Sequence, residues 1–412
     1  MRRVLVWISC LLVLIIALTG WKESHRLKPV ALTPSLTGQN EYCLTCHSDL
    51  TQISASHPIQ VFGCVYCHGG ERLALSANLA HSTLRGGNNP SDFTVVEASC
   101  GGEQCHSGSP ESGRDHIQRV LTNLHSTYAG AIAAVRYMIG AQPDRKAIQG
   151  LGAIQDNQVT TSTGLSSLAA FNPAQQDLPL LQTFANNCLD CHLSARLANA
   201  QAGNKFTGCA ACHAMLSGND SSLLVHRLDT AIAYNQCNSC HNRGNYTLQP
   251  LTFLPRNDPL VNRQQEYYLP GTQFTKCEVR LDCVDCHTRQ EIMGDGDIHS
   301  NQAEVLFIQC RTCHGTLTEL PLTRTITKPD ELVLRLAALN PAVHLQVGDA
   351  VIVTSIGEPL WNTRMLENGT YELVGKVTGQ HFTFQPVMGS GCRQNLDQQE
   401  SQYCHACHTI QH

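Results

Sequence analysis

Apolar and polar positions follow different periods along the chain and divide it into distinct segments. Residues 1–21 carry an apolar run behind two arginines, which predicts a signal peptide or a short membrane anchor. Residues 22–40 are polar and predict a tether. Between residues 112 and 141, apolar side chains recur at helical spacing and predict one amphipathic helix.

Two later segments lack this helical period. Residues 143–180 are rich in Gly, Ser, Thr and Gln and predict a linker. Residues 316–391 contain alternating β-branched residues around a turn at residues 367–369, which predicts a small β-hairpin insertion.

A repeated cysteine pattern adds chemistry to this division. Eight copies of Cys-x-x-Cys-His and one of Cys-x-x-x-x-Cys-His use 18 of the 21 cysteines. Two thiols and a following histidine at this spacing are the attachment signature of c-type haem, in which the histidine binds the iron. The predicted attachment residues, site by site, are Cys43, Cys46 and His47; Cys64, Cys67 and His68; Cys100, Cys105 and His106; Cys188, Cys191 and His192; Cys209, Cys212 and His213; Cys237, Cys240 and His241; Cys283, Cys286 and His287; Cys310, Cys313 and His314; and Cys404, Cys407 and His408.

Zinc binding and dithiol redox chemistry are the alternatives for such motifs. A tetrahedral zinc site needs paired units, and a thioredoxin-like dithiol needs a βαβ context. Neither explains a histidine after every second cysteine. The third motif is the exception in spacing, and we expect Gly101 and Gly102 to let its longer loop bulge outward.

Nine haems in 412 residues leave little chain for each cofactor. Haem itself must then supply much of the buried apolar surface, so folding should depend on its attachment. We expect a mostly irregular and α-helical fold organised by stacked haems, with a small β insertion. The expected divisions after the tether are a three-haem lobe with a helix at 41–142, the linker at 143–180, a five-haem lobe at 181–315, the β insertion at 316–391 and a C-terminal haem segment at 392–412.

The second axial ligand of each iron decides between electron transfer and chemistry. Setting aside His25 in the tether and the terminal His412, nine spare histidines remain for nine irons, which favours bis-histidine ligation. These candidates are His57, His81, His116, His125, His226, His299, His344, His381 and His405. Methionine is an alternative ligand at some irons. The leftover Cys277 and Cys392 are expected either to form a disulfide or to remain two buried thiols.

The chain resembles the multihaem c-type cytochromes of bacterial and archaeal anaerobic and extracellular respiration. The nine motifs, the spare histidines ahead of motifs, and segments 89–93 and 124–130 carry this resemblance. It implies electron hopping along close stacked and T-shaped haem pairs. The N-terminal segment predicts an exported protein at the periplasmic or extracellular face, held at the membrane by that segment. Its expected partners are redox proteins or copies of itself, with stacking into a filament as a variant.

An enzyme is the competing interpretation. A multihaem reductase or oxidase of small nitrogen or sulfur compounds needs one iron with an open position. All nine motifs end in histidine, which favours electron transfer. The net charge of −5, without a basic block, gives no reason to expect nucleic acid.

Overall fold

The chain is seen as two compact units in a computed structural model. They comprise Met1–Pro90 and Ser91–His412. This division differs from the predicted lobes, because the third motif belongs to the second unit. The structure describes residues 2–24, 28–50, 52–87, 89–156, 158–172, 175, 178–189, 207–216, 224–233, 236–237, 241, 245–247, 252–254, 277 and 280–408.

The first unit consists of short helices joined by loops. Its elements are α1 (Arg2–Ser24), a 3-10 turn (Cys43–Thr45), α2 (Ile59–Phe62), α3 (Val65–His68) and α4 (Ala77–Ala80). Helix α1 covers the predicted signal or anchor segment. Within the described residues, no helix combines the length and apolar character that crossing a membrane requires.

The second unit begins with helices where one long helix was expected. Its first elements are α5 (Val96–Cys100), α6 (His116–Thr122), α7 (Leu124–Thr127) and α8 (Ala129–Met138). The predicted helix at 112–141 is interrupted at Asn123, which is extended, and at Tyr128, which has a left-handed φ of 52°. The Asn123 side chain caps α7 by accepting from the His125 amide, a local bond that competes with helix continuation.

Residues 143–180 form packed structure where a linker was predicted. Strands β1 (Gln149–Gly150), β2 (Ile154–Gln155) and β3 (Ser167–Ala170) make a sheet in the order β1-β3-β2. Leu165 and Leu168 are buried against α8 and Ile298. The few apolar residues of this segment therefore make buried tertiary contacts, although the composition of the segment is that of a loop.

Helix α9 (Pro179–Cys188) packs on α8 through a buried cluster that includes Ile132, Phe171 and Phe184. The central part of the unit then alternates short helices and strand pairs. These elements are α10 (Ala210–His213), β4 (Ala214–Leu216), β5 (Leu224–Leu228), β6 (Asn245–Thr247), β7 (Thr252–Leu254), α11 (Cys283–Cys286), α12 (Arg289–Met293), a 3-10 turn (Gln302–Glu304) and α13 (Cys310–His314). Strands β4 and β5 pair antiparallel, as do β6 and β7.

The last part of the unit is richer in strands than the single hairpin predicted. It contains β8 (Thr323–Thr325), α14 (Leu332–Ala337), β9 (Ala350–Ile352), β10 (Thr363–Met365), β11 (Tyr371–Val374), β12 (His381–Phe384) and α15 (Ser401–His408). Strands β8 and β9 pair, and β10-β11-β12 form an antiparallel sheet whose first turn lies at the predicted residues 367–369. Buried Ile326, Val333 and Val351 give this β-rich segment a core of its own.

Candidate metal centres

A common backbone bond organises the regular motifs. The amide of the motif histidine donates to the carbonyl of the first cysteine at 3.0 Å for His47 and at 2.9 Å for His68, His213 and His287. One helical turn thus carries two thiols and an imidazole, which is the disposition that haem attachment requires.

The third motif keeps this bond despite its longer loop. The His106 amide donates to the Cys100 carbonyl at 3.2 Å, and the Cys105 amide donates to Gly102 at 2.9 Å. Gly102 has φ 120°, a conformation that favours glycine. The two extra residues are looped out, so this motif has the same overall disposition as the others.

Opposed imidazole rings provide a test of whether the described residues fit a six-coordinate iron. Metal–imidazole distances are about 2.0–2.1 Å, so two imidazoles on opposite sides of one iron should have ring centroids about 6 Å apart. The centroids of His47 and His81 are 6.0 Å apart. Those of His125 and His241 are 5.8 Å apart. These pairs join a predicted spare histidine to a motif histidine at the required spacing.

A third pair, His106 and His116, is closer at 5.3 Å. The two spare histidines of the predicted long helix, His116 and His125, therefore face two different motifs.

Oxygen acceptors hold several of these imidazoles by Nδ1. His213 Nδ1 lies 2.8 Å from the Asp229 carbonyl. His125 Nδ1 lies 2.9 Å from Asn123 Oδ1, and His287 Nδ1 lies 3.1 Å from Glu291 Oε2. A histidine whose Nδ1–H donates to oxygen presents the Nε2 lone pair to a metal. Burial, followed by the charges of His241 and His287, lowers the pKa of His125 to about 4, which keeps this ring neutral.

Glu291 accepts several hydrogen bonds beside the seventh motif, and it was not among the residues predicted from the sequence. Besides meeting His287, its carboxylate accepts from the amides of Thr288, Phe307 and Ile308 at 2.8–3.1 Å. Burial opposes the charged form, but these hydrogen bonds outweigh it and lower the pKa of Glu291. Thr288 and Glu291 form a capping box at the start of α12, and the spacing Thr-x-x-Glu directly after a motif was the available signal.

In the first unit the first two motifs meet through their thiols and one carboxylate. The Sγ atoms of Cys43 and Cys64 and a carboxylate oxygen of Glu41 all lie within 4.8 Å of one another. Glu41 is 2% exposed, and its Oε2 accepts from the Cys64 amide at 2.7 Å. A Cβ at Gly63 would lie 2.6 Å from Glu41 Oε1, so glycine is needed for this approach. The first two motifs are therefore immediate neighbours.

In the second unit the fifth to the ninth motifs form a continuous series of neighbours. A hydrogen bond to Cys283, then burial and the nearby charges of Cys283 and Cys212, raise the pKa of Cys237, so motifs five, six and seven meet there. Burial and then Cys313 raise the pKa of Cys286, which places motifs seven and eight together.

The eighth and ninth motifs are joined by helices α13 and α15. The Cys310 amide donates to Ser401 Oγ at 3.0 Å, and His408 lies near enough to His314 to contribute, after burial, to its lowered pKa. The eighth and ninth motifs are therefore neighbours.

The β-rich segment contacts the seventh motif through hydrogen bonds and the eighth motif through a ring contact. Lys376 donates from its amide to Asp285 Oδ1 and from Nζ to the Val284 carbonyl, each at 2.6 Å. Burial lowers the pKa of Lys376. At the eighth motif, the His314 and Phe384 rings lie 5.0 Å apart. The predicted insertion therefore packs against the seventh and eighth motifs.

His57 and His226 lie close to motifs in the chain. His57 packs on Phe62 with ring centroids 5.3 Å apart, just ahead of Cys64, and its Nδ1 lies 2.9 Å from Ser54 Oγ. His226 lies on β5, which pairs with β4 directly after the fifth motif.

Two other candidate ligands lie away from the motifs. His344 is exposed on the β-rich segment, and its carbonyl accepts from Arg364 at 3.4 Å. His381 on β12 has a side chain that is 49% exposed, and its Nδ1 lies 2.9 Å from Glu372. Neither arrangement supports ligation. Predictions for Cys191, His192, Cys240 and the side chains of Cys188 and His405 lie outside the described residues.

His299 differs most from its predicted role as an iron ligand. It is 3% exposed, its Nε2 lies 3.0 Å from Asp295, and its Nδ1 lies 3.7 Å from Glu304. With a carboxylate facing each ring nitrogen, the charged form of His299 is favoured, and the arrangement argues against iron binding.

Stability should accordingly depend on the protonation of His299. Burial lowers its pKa, but the hydrogen bond to Asp295 and the charges of Asp295, Glu304 and Asp297 outweigh this and raise the pKa overall. The stabilisation is then complete below the unfolded pKa of about 6.5 and is lost as pH rises through the higher folded pKa. We expect the difference in unfolding free energy between the wild type and His299→Gln to shrink from pH 6 to pH 9 in denaturant titrations.

Exposed His344→Gln is the matched control and should show a pH-independent difference near zero. A His299→Gln difference that grows with pH would contradict the assignment.

The two leftover cysteines do not form a disulfide with each other. Cys277 is exposed and lies near Cys286 and Cys313. After burial, Cys277 is a further cause of the raised pKa values of both thiols. Cys392 is partly buried.

Comparisons of the chain with protein-family models, curated proteins and solved structures found no match.

Proposed function

We propose that this chain is a multihaem c-type cytochrome that relays electrons along nine covalently bound haems. The opposed imidazoles of His47 with His81 and of His125 with His241, at the spacing that one iron requires, are the observation that carries the proposal. Haem supplies the one-electron chemistry, and the protein's part is to fix the spacing and electronic environment of each iron.

Each part of the chain has a defined task in this proposal. The cysteines would tether the porphyrin, and the imidazole pairs His47 with His81 and His125 with His241 would hold its iron. Asn123 and Glu291 orient the imidazoles to which they bind, and Glu291 makes its ligand more basic. A six-coordinate iron has no open position, which suits transfer better than catalysis.

The proposed setting follows from haem attachment and from the N-terminal segment. The chain is exported, and its leading helix either directs export or holds the protein at the membrane. The donor is a membrane or periplasmic redox protein. The acceptor is a second redox partner or another copy of the chain. Many copies stacked end to end would form a filament.

Haem stoichiometry of the exported protein tests the proposal. We expect nine haems per chain from the absorbance of the pyridine haemochrome and from intact mass. Replacing both Cys100 and Cys105 with alanine should remove one haem, whereas replacing Cys392 with alanine should remove none. Exported protein at the mass of the bare polypeptide would overturn the proposal.

A further inference from the structure

The third motif differs from the others in the partner of its opposed imidazole. His116 Nδ1 lies 3.3 Å from Arg289 Nη2. A guanidinium can only donate hydrogen bonds, so Nδ1 must accept, and the proton of a neutral His116 ring lies on Nε2. This assignment comes from the partner, and it is the reverse of what an iron ligand requires.

The imidazoles of other sites show the contrast. His125, His213 and His287 each place Nδ1 within 2.8–3.1 Å of an oxygen acceptor. Metal-binding histidines almost always donate their second ring N–H in this way. For His116 to bind iron through Nε2, it must either lose that proton or break its bond with Arg289.

Arg289 is firmly held in this position. It donates from Nη2 to Asp115 at 3.1 Å and to the Gly113 carbonyl at 3.4 Å. Asp115 is 6% exposed and is also bonded to Arg119 at 2.6 Å. Arg289 Nε is buried and has no hydrogen-bond partner among the described residues. A buried cation with an unused donor atom therefore lies beside the His116 ring.

The spacing of the pair points the same way. The centroids of His106 and His116 are 5.3 Å apart, which is less than the roughly 6 Å expected for two imidazoles on one iron. The rings must separate before both can bind.

We propose that the iron held by Cys100, Cys105 and His106 exchanges its sixth ligand, and that it accepts a small anion with an iron-binding atom in place of His116. Arg289 serves as the positioning residue, because it disfavours ligation by His116 and supplies positive charge and a free donor to the anion. In the exchange the anion forms one bond to iron and His116 leaves as a neutral imidazole, so no electron is transferred. The inference rests on the proposed haem binding.

Cyanide titration of the oxidised holoprotein tests this inference. We expect one tight equivalent that depends on the third motif, and optical and electron paramagnetic resonance spectra monitor its binding. Arg289→Gln should weaken that binding about tenfold, the effect of losing a charge-assisted hydrogen bond. Arg289→Lys should retain most of the affinity, and exposed Arg393→Gln should retain all of it.

A second variant distinguishes loss of the proposed site from misfolding caused by the substitution of Arg289. The Cys100→Ala, Cys105→Ala protein should keep its other haems and lose the tight equivalent. Tight binding that persists in that protein, or that is unchanged in Arg289→Gln, would overturn the inference while leaving the electron relay intact. An exported protein without haem would instead overturn the proposed function.

Discussion

Replacing Glu291 with alanine should lower the unfolding free energy of the second unit by about 3–5 kcal/mol. The substitution removes one carboxylate that accepts from His287 and from the amides of Thr288, Phe307 and Ile308. Those amides are then left unsatisfied next to the seventh motif. Denaturant or thermal unfolding of the holoprotein measures the loss.

Two control variants test whether the loss of unfolding free energy is specific to the hydrogen bonds that Glu291 accepts. Glu291→Gln keeps one oxygen acceptor and should lose less than the alanine variant. Exposed Glu319→Ala should stay within about 0.5 kcal/mol of the wild type. If Glu291→Ala and Glu319→Ala proved equally stable, the role assigned to Glu291 would be wrong.

Replacing His125 with alanine should convert one haem, one ninth of the total, from low-spin six-coordinate to high-spin iron that binds carbon monoxide when reduced. The reason is that His125 faces His241 at 5.8 Å and is oriented for ligation by Asn123. His125→Met should restore six-coordination and raise the midpoint potential of that haem. Electron paramagnetic resonance and redox titration measure these changes.

His299→Ala is the matched comparison, since the sequence marked both histidines as ligands. Because carboxylates face both ring nitrogens of His299, its replacement should reduce stability and leave the spin state unchanged. High-spin haem appearing in His299→Ala would restore His299 as a ligand and refute the role described for it.

Motif spacing predicted the attachment residues because it depends only on local chain geometry. Two thiols and a histidine on one turn need no distant partner, and the backbone bond from His287 to Cys283 is a local contact of this kind. The third motif obeys the same principle, since Gly101 and Gly102 allow its loop to bulge. By contrast, the linker at 143–180 was wrongly inferred from composition, because Leu165 and Leu168 find their buried partners far along the chain.

The amino-acid sequence by itself determined where the nine motifs lie, and it supplied the residues that we propose as haem attachment sites and the spare histidines that we propose as candidate iron ligands. The tertiary structure alone decided which histidines are opposed, that His299 is enclosed by acids, and that Arg289 faces His116. Attachment depends on atoms within a few residues of each other, whereas Arg289 lies 173 residues from His116 in the chain and reaches it only through the tertiary fold.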